Sequence, residues 1–323
     1  MKVLFATYPM AFHTPGGGEV QLLAYQKHLQ AQGVEVTLMD PWNPRFLEHD
    51  IVHFFSCMGG SIPLCHFIKQ LGLPLVITSS LWITPENKHL YGIDDIRHQL
   101  SLADRIITNS EMETETLSQV LNLPKDKFSV VYNGIDDFFL RQVDPKIFRE
   151  KFGIQDRFVL NVGNVERRKN QLTLVRAMKA FPEVKLVLMG HQREPDYSAE
   201  VLAEGGDQVL YLGPFVHDEV LLSAYRACEL FCLPSTLETP GLAALEAAAQ
   251  GAKLVVTKEG SCQEYFGQHA EYVNPFSVED LREKIGRMLD SSHPNETVGF
   301  RAEDFLWKNT VGRLKTIYEG LVV

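Results

Sequence analysis

Three groups of residues are suited to holding a charged, hydroxyl-rich ligand. In Leu233-Pro234-Ser235-Thr236-Leu237-Glu238-Thr239-Pro240-Gly241-Leu242-Ala243-Ala244-Leu245-Glu246-Ala247, Glu238 falls in a strand-to-helix loop and Glu246 about two turns into an Ala-rich helix. Carboxylates accept hydrogen bonds from vicinal hydroxyls, so two along one crevice can hold a sugar and a ribose. The same pair also reads as a helix-dipole Glu followed by an exposed helical Glu. A second group, Gly163-Asn164-Val165-Glu166-Arg167-Arg168-Lys169-Asn170, puts three consecutive cations just past a strand. Open α/β sheets bind ligands at such strand ends, and a diphosphate suits the charge; a solvated basic turn has the same composition. The third, Thr14-Pro15-Gly16-Gly17-Gly18-Glu19-Val20, leads from the first strand into a helix. Its glycines permit close backbone approach, and a helix start attracts phosphate. The spacing matches neither the dinucleotide fingerprint nor the P-loop.

The elements around these groups form a repeated pattern. Short β-branched or apolar runs at 2–8, 34–40, 50–55, 74–79, 104–108 and 127–131 alternate with helical periods at 18–32, 60–71, 91–101 and 111–121. The scheme recurs with strands at 158–163, 184–190, 208–212, 229–233, 253–257 and 271–273, and helices near 170–181, 197–204, 217–227, 240–250, 261–266 and 278–289. Such alternation predicts parallel sheets wrapped by helices. Asn133-Gly134 and the polar stretch to Gly153, with Asp144-Pro145, read as a linker. The predicted domains are 1–145 and 146–300, and 301–323 reads as an amphipathic helix. A chain of 323 residues suits two cores.

Composition narrows the partners. The net charge is −10, with 10 Lys+Arg against 16 Asp+Glu in residues 1–145 and 21 against 25 beyond. Neither half reads as a nucleic-acid binder, and the charge does not favour docking on anionic lipid. No run approaches the ~20 apolar residues of a membrane span. The five cysteines form no CxxC set, and a reduced, cytoplasmic protein is the simplest reading. No Asp-x-Asp, His-Glu-x-x-His or Cys/His cluster points to a metal or cofactor.

Taken together, the glycine loop, the Gly163–Asn170 segment and the Glu-x7-Glu pattern, with Thr108-Asn109-Ser110-Glu111 and Val131-Tyr132-Asn133-Gly134-Ile135-Asp136, resemble glycosyltransferase family 4 over nearly the whole chain. The resemblance implies an α/β GT-B architecture: two Rossmann-like domains with parallel sheets facing across a cleft, hinged near 134–150, the final helix completing the first domain. It implies a metal-independent retaining hexosyltransferase, without a cofactor, whose partners are a nucleotide diphosphate sugar and a glycan, lipid-linked or small-molecule acceptor. Catalytic roles fall by resemblance to Lys169, Glu238 and Arg168. Donor contacts fall to Gly16, Gly17, Gly18, Asn164, Thr239, Pro240, Gly241, Leu242 and Glu246, the last on the ribose. The chain departs from the family pattern twice, with Asn164 where many members carry Arg and Ser79-Ser80 where many carry His. A GT-B epimerase or phosphorylase and a noncatalytic nucleotide-sugar-binding protein stay open as alternatives.

Overall fold

The computed structural model describes residues 1–13, 15–58, 60–290 and 297–322. Thr14, which opens the glycine motif, residues 291–296 of the expected second domain and Val323, the end of the expected last segment, lie outside them. The chain divides into two compact units, Met1–Gly134 with Asp304–Val323, and Ile135–Glu303.

In the first unit six parallel strands, β1 (Lys2–Thr7), β2 (Glu35–Leu38), β3 (Ile51–Phe55), β4 (Leu75–Thr78), β5 (Arg105–Thr108) and β6 (Phe128–Val130), stand in the order β2-β1-β3-β4-β5-β6. Helices α1 (Gly17–Ala31), α2 (Ile62–Gln70), α3 (Ile93–Leu102) and α4 (Glu111–Leu121) connect them. All five residues of β3 are buried, as its unbroken apolar run requires of a strand covered on both faces. Its one polar member, His53, has Nδ1 2.5 Å from the Tyr318 hydroxyl and Nε2 2.7 Å from Thr78 Oγ1, and stacks on Phe55. Burial holds the imidazole down to about 3, so His53 is a neutral core residue.

The second unit repeats the plan with β7 (Phe158–Val162), β8 (Lys185–Met189), β9 (Val209–Tyr211), β10 (Leu230–Leu233), β11 (Leu254–Thr257) and β12 (Glu271–Val273), ordered β12-β11-β10-β7-β8-β9. Its helices are α5 (Lys146–Phe152), α6 (Gln171–Met178), α7 (Pro195–Gly205), α8 (Glu219–Ala227), α9 (Leu242–Ala249), α10 (Cys262–Phe266) and α11 (Val278–Leu289). The last helix, α12 (Trp307–Glu319), returns to the first unit, where Trp307 packs edge-on against Tyr25 of α1.

Two boundaries differ from the sequence expectation. The division falls at Gly134–Ile135 rather than at 145/146, because the supposed linker is part of the second unit. Pro145 begins α5 instead of blocking a helix: its fixed φ suits a first turn, and the Ser223 hydroxyl of α8 accepts from the Phe148 amide while donating to the Asp144 carbonyl. Gly134 owes its identity to close approach, since a Cβ there would lie 2.6 Å from the Phe305 carbonyl and 2.9 Å from the Trp307 nitrogen. The final helix starts at Trp307 rather than at 301, because Leu306 is extended.

Candidate functional site

Each sheet contains one point where the strand order reverses, between β1 and β3 in the first unit and between β7 and β10 in the second. Connections leave in opposite directions there, and a crevice opens beyond the carboxyl ends of the strands. The predicted residues gather at these two places.

In the second unit, the turn after β7 and the loop after β10 carry charged groups that meet. Lys169 Nζ lies 2.5 Å from Glu238 Oε1, and Arg168 Nη1 lies 3.7 Å from the same oxygen while donating to the Leu237 carbonyl at 3.1 Å. The Ser235 hydroxyl donates to Glu238 Oε1 at 2.6 Å. The Glu238 side chain is only 6% exposed and that of Lys169 14%, whereas Arg168 is 48% exposed, so the carboxylate is buried, Lys169 is half-buried and the arginine faces solvent. Burial alone would raise the Glu238 carboxyl, but the Lys169 and Arg168 charges, with hydrogen bonds from Lys169 and Ser235, outweigh it and hold the group below the ordinary carboxylate range. It is ionised at neutral pH.

Backbone ties fix this meeting point. Thr236 donates its amide to the Arg168 carbonyl at 2.8 Å, and the Asn170 side-chain amide bridges the carbonyls of Pro234 and Pro275. The Glu238 backbone is clasped by the 259–261 loop, its amide donating to Glu259 O and its carbonyl accepting from Ser261 N. Gly260 makes the clasp feasible: its φ is +97°, and a Cβ would fall 2.0 Å from the Glu238 carbonyl oxygen. Glu166, to which the sequence reading assigns no role, is 5% exposed and holds Arg168 at 3.1 Å and Arg193 at 3.3 Å. Its position between Gly163 and the cations was the available signal. Ser235 and Asn170 carried none beyond their place in the motifs.

Glu246 stands elsewhere in the same unit. It is 5% exposed on α9, accepts from the Tyr225 hydroxyl at 2.6 Å, and faces His217 Nε2 at 3.6 Å. It is not an exposed helical glutamate. Burial raises its carboxyl more than His217 and the Tyr225 hydrogen bond lower it, and Asp136 adds to the rise. Thr239, Pro240 and Gly241 lead into α9, where the Ala244 and Leu245 amides donate to the Gly241 carbonyl and the two amides before them have no acceptor inside the helix. Asn164 uses its backbone carbonyl to accept from the Gln171 side chain at 2.9 Å, while its own side chain makes no hydrogen bond among the described residues.

Gly16 caps the start of α1, and Gly17 and Gly18 open it. None of Gly16, Gly17 and Gly18 takes a positive φ. The Gly16 amide donates to Glu19 Oε2 at 2.6 Å, so the helix start carries its own anion. A Cβ on Gly17 or Gly18 would meet nothing within 4 Å, so neither packing nor backbone conformation demands their bareness. Beside this loop, at the β1/β3 switch point, a cavity of about 220 Å³ is lined by Thr7, Gly18, Glu19, Phe55, Ser79, Ser80 and their neighbours. Phe12, Trp82 and Tyr91, whose rings suit stacking on a sugar, do not line it, nor does His13.

Two family models match the chain, Glycosyltransferase Family 4 over residues 45–137 and Glycosyl transferases group 1 over residues 144–304. The chain belongs to this glycosyltransferase family. Among family members, an uncharacterised glycosyltransferase of Methanocaldococcus jannaschii is 29% identical over 233 residues, covering 67% of this chain and 60% of that protein. The D-inositol 3-phosphate glycosyltransferase of Mycolicibacterium smegmatis is 28% identical over 292 residues, covering 84% and 67%. The chain thus spans 60% and 67% of the length of these two relatives. The sucrose-phosphate synthase of Thermosynechococcus elongatus superposes with a TM-score of 0.83 at 19% identity, over 99% of both chains. Anabaena HepE in complex with UDP-glucose superposes at 0.78 with 21% identity, again over 99% of both. These likenesses establish the fold of this family member as GT-B, built from two Rossmann-like units. Among the described residues no helix is long and apolar enough to cross a membrane.

Proposed function

We propose that this chain transfers a hexose or related sugar, with retention at the anomeric carbon, from a nucleoside diphosphate sugar to a hydroxyl of a carbohydrate, lipid-linked or small-molecule acceptor. The observation that carries the reading is the convergence of Lys169 and Arg168 on Glu238 at the β7/β10 switch point. Breaking the anomeric C–O bond leaves negative charge on the diphosphate. Fixed cations in a partly water-excluded site stabilise that leaving group, and removal of one such contact typically costs about 10²–10³ in rate. In this mechanism Lys169, held in place by Glu238, meets the leaving phosphate directly, so charge neutralisation needs no metal.

Arg168 is the second cation and takes the role that Asn164 cannot. Glu246, braced by Tyr225 and His217, accepts from the ribose hydroxyls. The amides at the start of α9 face the sugar or phosphate, where the helix dipole favours anionic oxygen. Gly16, Gly17 and Gly18 offer bare backbone to the donor, at Gly16 in competition with Glu19.

Thermal stabilisation by a panel of nucleoside diphosphates and their sugars tests the reading, because a ligand that binds only the native state raises its stability. Uridine nucleotides are the first probes, since HepE is described in complexes with UDP and UDP-glucose. A selective shift that is lost in Lys169→Ala and Glu246→Ala, followed by an α-configured product from an α-linked donor, supports it. No shift with any nucleotide at millimolar concentration overturns it.

A further inference from the structure

We propose that His66 of α2 and His98 of α3 form a two-ligand seat for one Cu²⁺ or Ni²⁺ ion, which clips the two helices together at the surface of the first unit. The site is independent of the sugar-transfer reading, and neither residue lines the cavity at the β1/β3 switch point.

Helix packing brings the two rings together. Cys65 and Ile68 of α2 are fully buried, and Ile96 and Leu100 of α3 are at most 3% exposed, all four in one apolar core. Gln99, also buried, donates its side-chain amide to the Ser56 carbonyl at 3.1 Å and so ties α3 to the loop that leads into α2. His66 and His98 directly adjoin Cys65 and Gln99 in sequence but are exposed. Their Nε2 atoms lie 2.9 Å apart, with the ring planes at 79°. Side chains carried on packed helices are held more closely than those on loops, so the fold itself sets this separation.

Two nitrogen lone pairs at that distance need something between them. Without a metal, one Nε2 carries a hydrogen and donates it to the other. A metal ion can take the place of that hydrogen. With metal–nitrogen bonds of about 2.0–2.1 Å, the observed separation subtends about 90° at the metal. This is the cis angle of the square-planar or tetragonal geometry of Cu²⁺ and Ni²⁺, and it is narrower than the tetrahedral angle of structural zinc. Protons balance when both rings are neutral: the hydrogen leaves Nε2 for Nδ1 of the same ring, and none is released. The Nδ1 atoms are open to receive it, since neither makes a hydrogen bond among the described residues.

The surroundings do not oppose a cation. Lys69, one turn beyond His66, is held by both Asp104 oxygens at 2.9 and 2.6 Å. Arg97, next to His98, pairs with Asp94 at 2.6 Å and donates to the Leu121 carbonyl at 2.7 Å. Cys65 is not a further ligand, because metals bind the thiolate and burial pushes this thiol up to about 12. Among the described residues no group of three or more His, Cys, Asp or Glu could hold an ion, so water fills the remaining positions.

The test uses the whole chain without a polyhistidine tag, in a non-coordinating buffer at neutral pH. Calorimetric titration with Ni²⁺ should show one equivalent bound, and the melting temperature should rise, because the ion binds the packed helices and not the unfolded chain. His66→Ala and His98→Ala should each weaken Ni²⁺ binding by at least about tenfold, the least that even an outer-shell change costs, and should abolish the thermal shift. His89→Ala, which removes another exposed histidine of the same unit, should change neither. Acidification should weaken binding, since only neutral imidazole is a ligand. The electron paramagnetic resonance spectrum of bound Cu²⁺ should show coupling to two imidazole nitrogens in the unsubstituted protein and to one in each single variant. No binding at millimolar Ni²⁺, binding that survives either substitution, or an equal loss in His89→Ala overturns the proposal.

Discussion

The two switch points are built on the same topology and carry opposite chemistry. At the β7/β10 point a buried carboxylate is paired with a cation and a second cation faces solvent; at the β1/β3 point Glu19 lines a cavity whose wall, among the described residues, holds no Lys or Arg. Architecture fixes where a ligand can sit, and the loop residues fix which ligand it is. In the second unit Glu238 pairs with Lys169, and under the proposed function that pairing keeps Lys169 in register for a diphosphate. In the first, Glu19 accepts from the Gly16 amide at the start of α1.

The largest expected effect comes from Lys169→Ala. It should lower the transfer rate by about 10²–10³ and destabilise the fold by roughly 3–5 kcal/mol, because Glu238 is left buried and ionised without its partner. Adding Glu238→Gln should restore much of the urea midpoint without restoring transfer. Recovery of activity in the double variant would break the distinction between the anchor and the working cation.

Arg168→Ala should cost less, about tenfold in nucleotide diphosphate affinity, since the residue is half exposed and its field is screened by solvent. Titration calorimetry reads this directly, and an effect equal to that of Lys169→Ala would merge two roles kept apart here.

A pH series sharpens the contrast between the two carboxylates of the Glu-x7-Glu segment. The folded state lowers the Glu238 carboxyl, so its contribution to stability is present above the ordinary carboxylate range and is lost as pH falls through the lowered value. The folded state raises Glu246, so its contribution is present below that range and is lost as pH rises through the raised value. Glu238→Gln should accordingly cost more stability at pH 7 than at pH 4, and Glu246→Gln more at pH 4 than at pH 7. Thermal melts of the two variants at both pH values check the crossing, and parallel behaviour would show that one environment governs both groups.

The smallest effect is expected for Gly17→Ala, whose added methyl meets nothing within 4 Å. Stability should stay within about 0.5 kcal/mol, as for other surface changes. A selective rise in KM for the donor would support backbone approach there.

Much of the fold was legible because its strands are short Val/Ile/Leu runs buried on both faces, a pattern that parallel sheets require. Helix α5 was not legible: seven residues opened by Asp144-Pro145 give too short a period, and its start is tied to Ser223, far away in sequence. Spacing singled out Lys169, Glu238 and Glu246 but was silent on the direct pairing of the first two. Nor did it reveal Tyr225 and His217 beside Glu246, because those contacts join separate elements. The glycines were legible as the start of a helix, but spacing was silent on Glu19, the residue immediately after them, taking the Gly16 amide.

The central claim, that the β7/β10 crevice is a diphosphate site, is tested most directly by calorimetric titration of the protein with UDP, UMP and uridine. Affinity should rise steeply from uridine to UDP in the unsubstituted protein, and that phosphate increment should collapse in Lys169→Ala while uridine binding stays unchanged. An increment that survives the loss of Lys169, or UDP binding no tighter than uridine, would contradict the assignment.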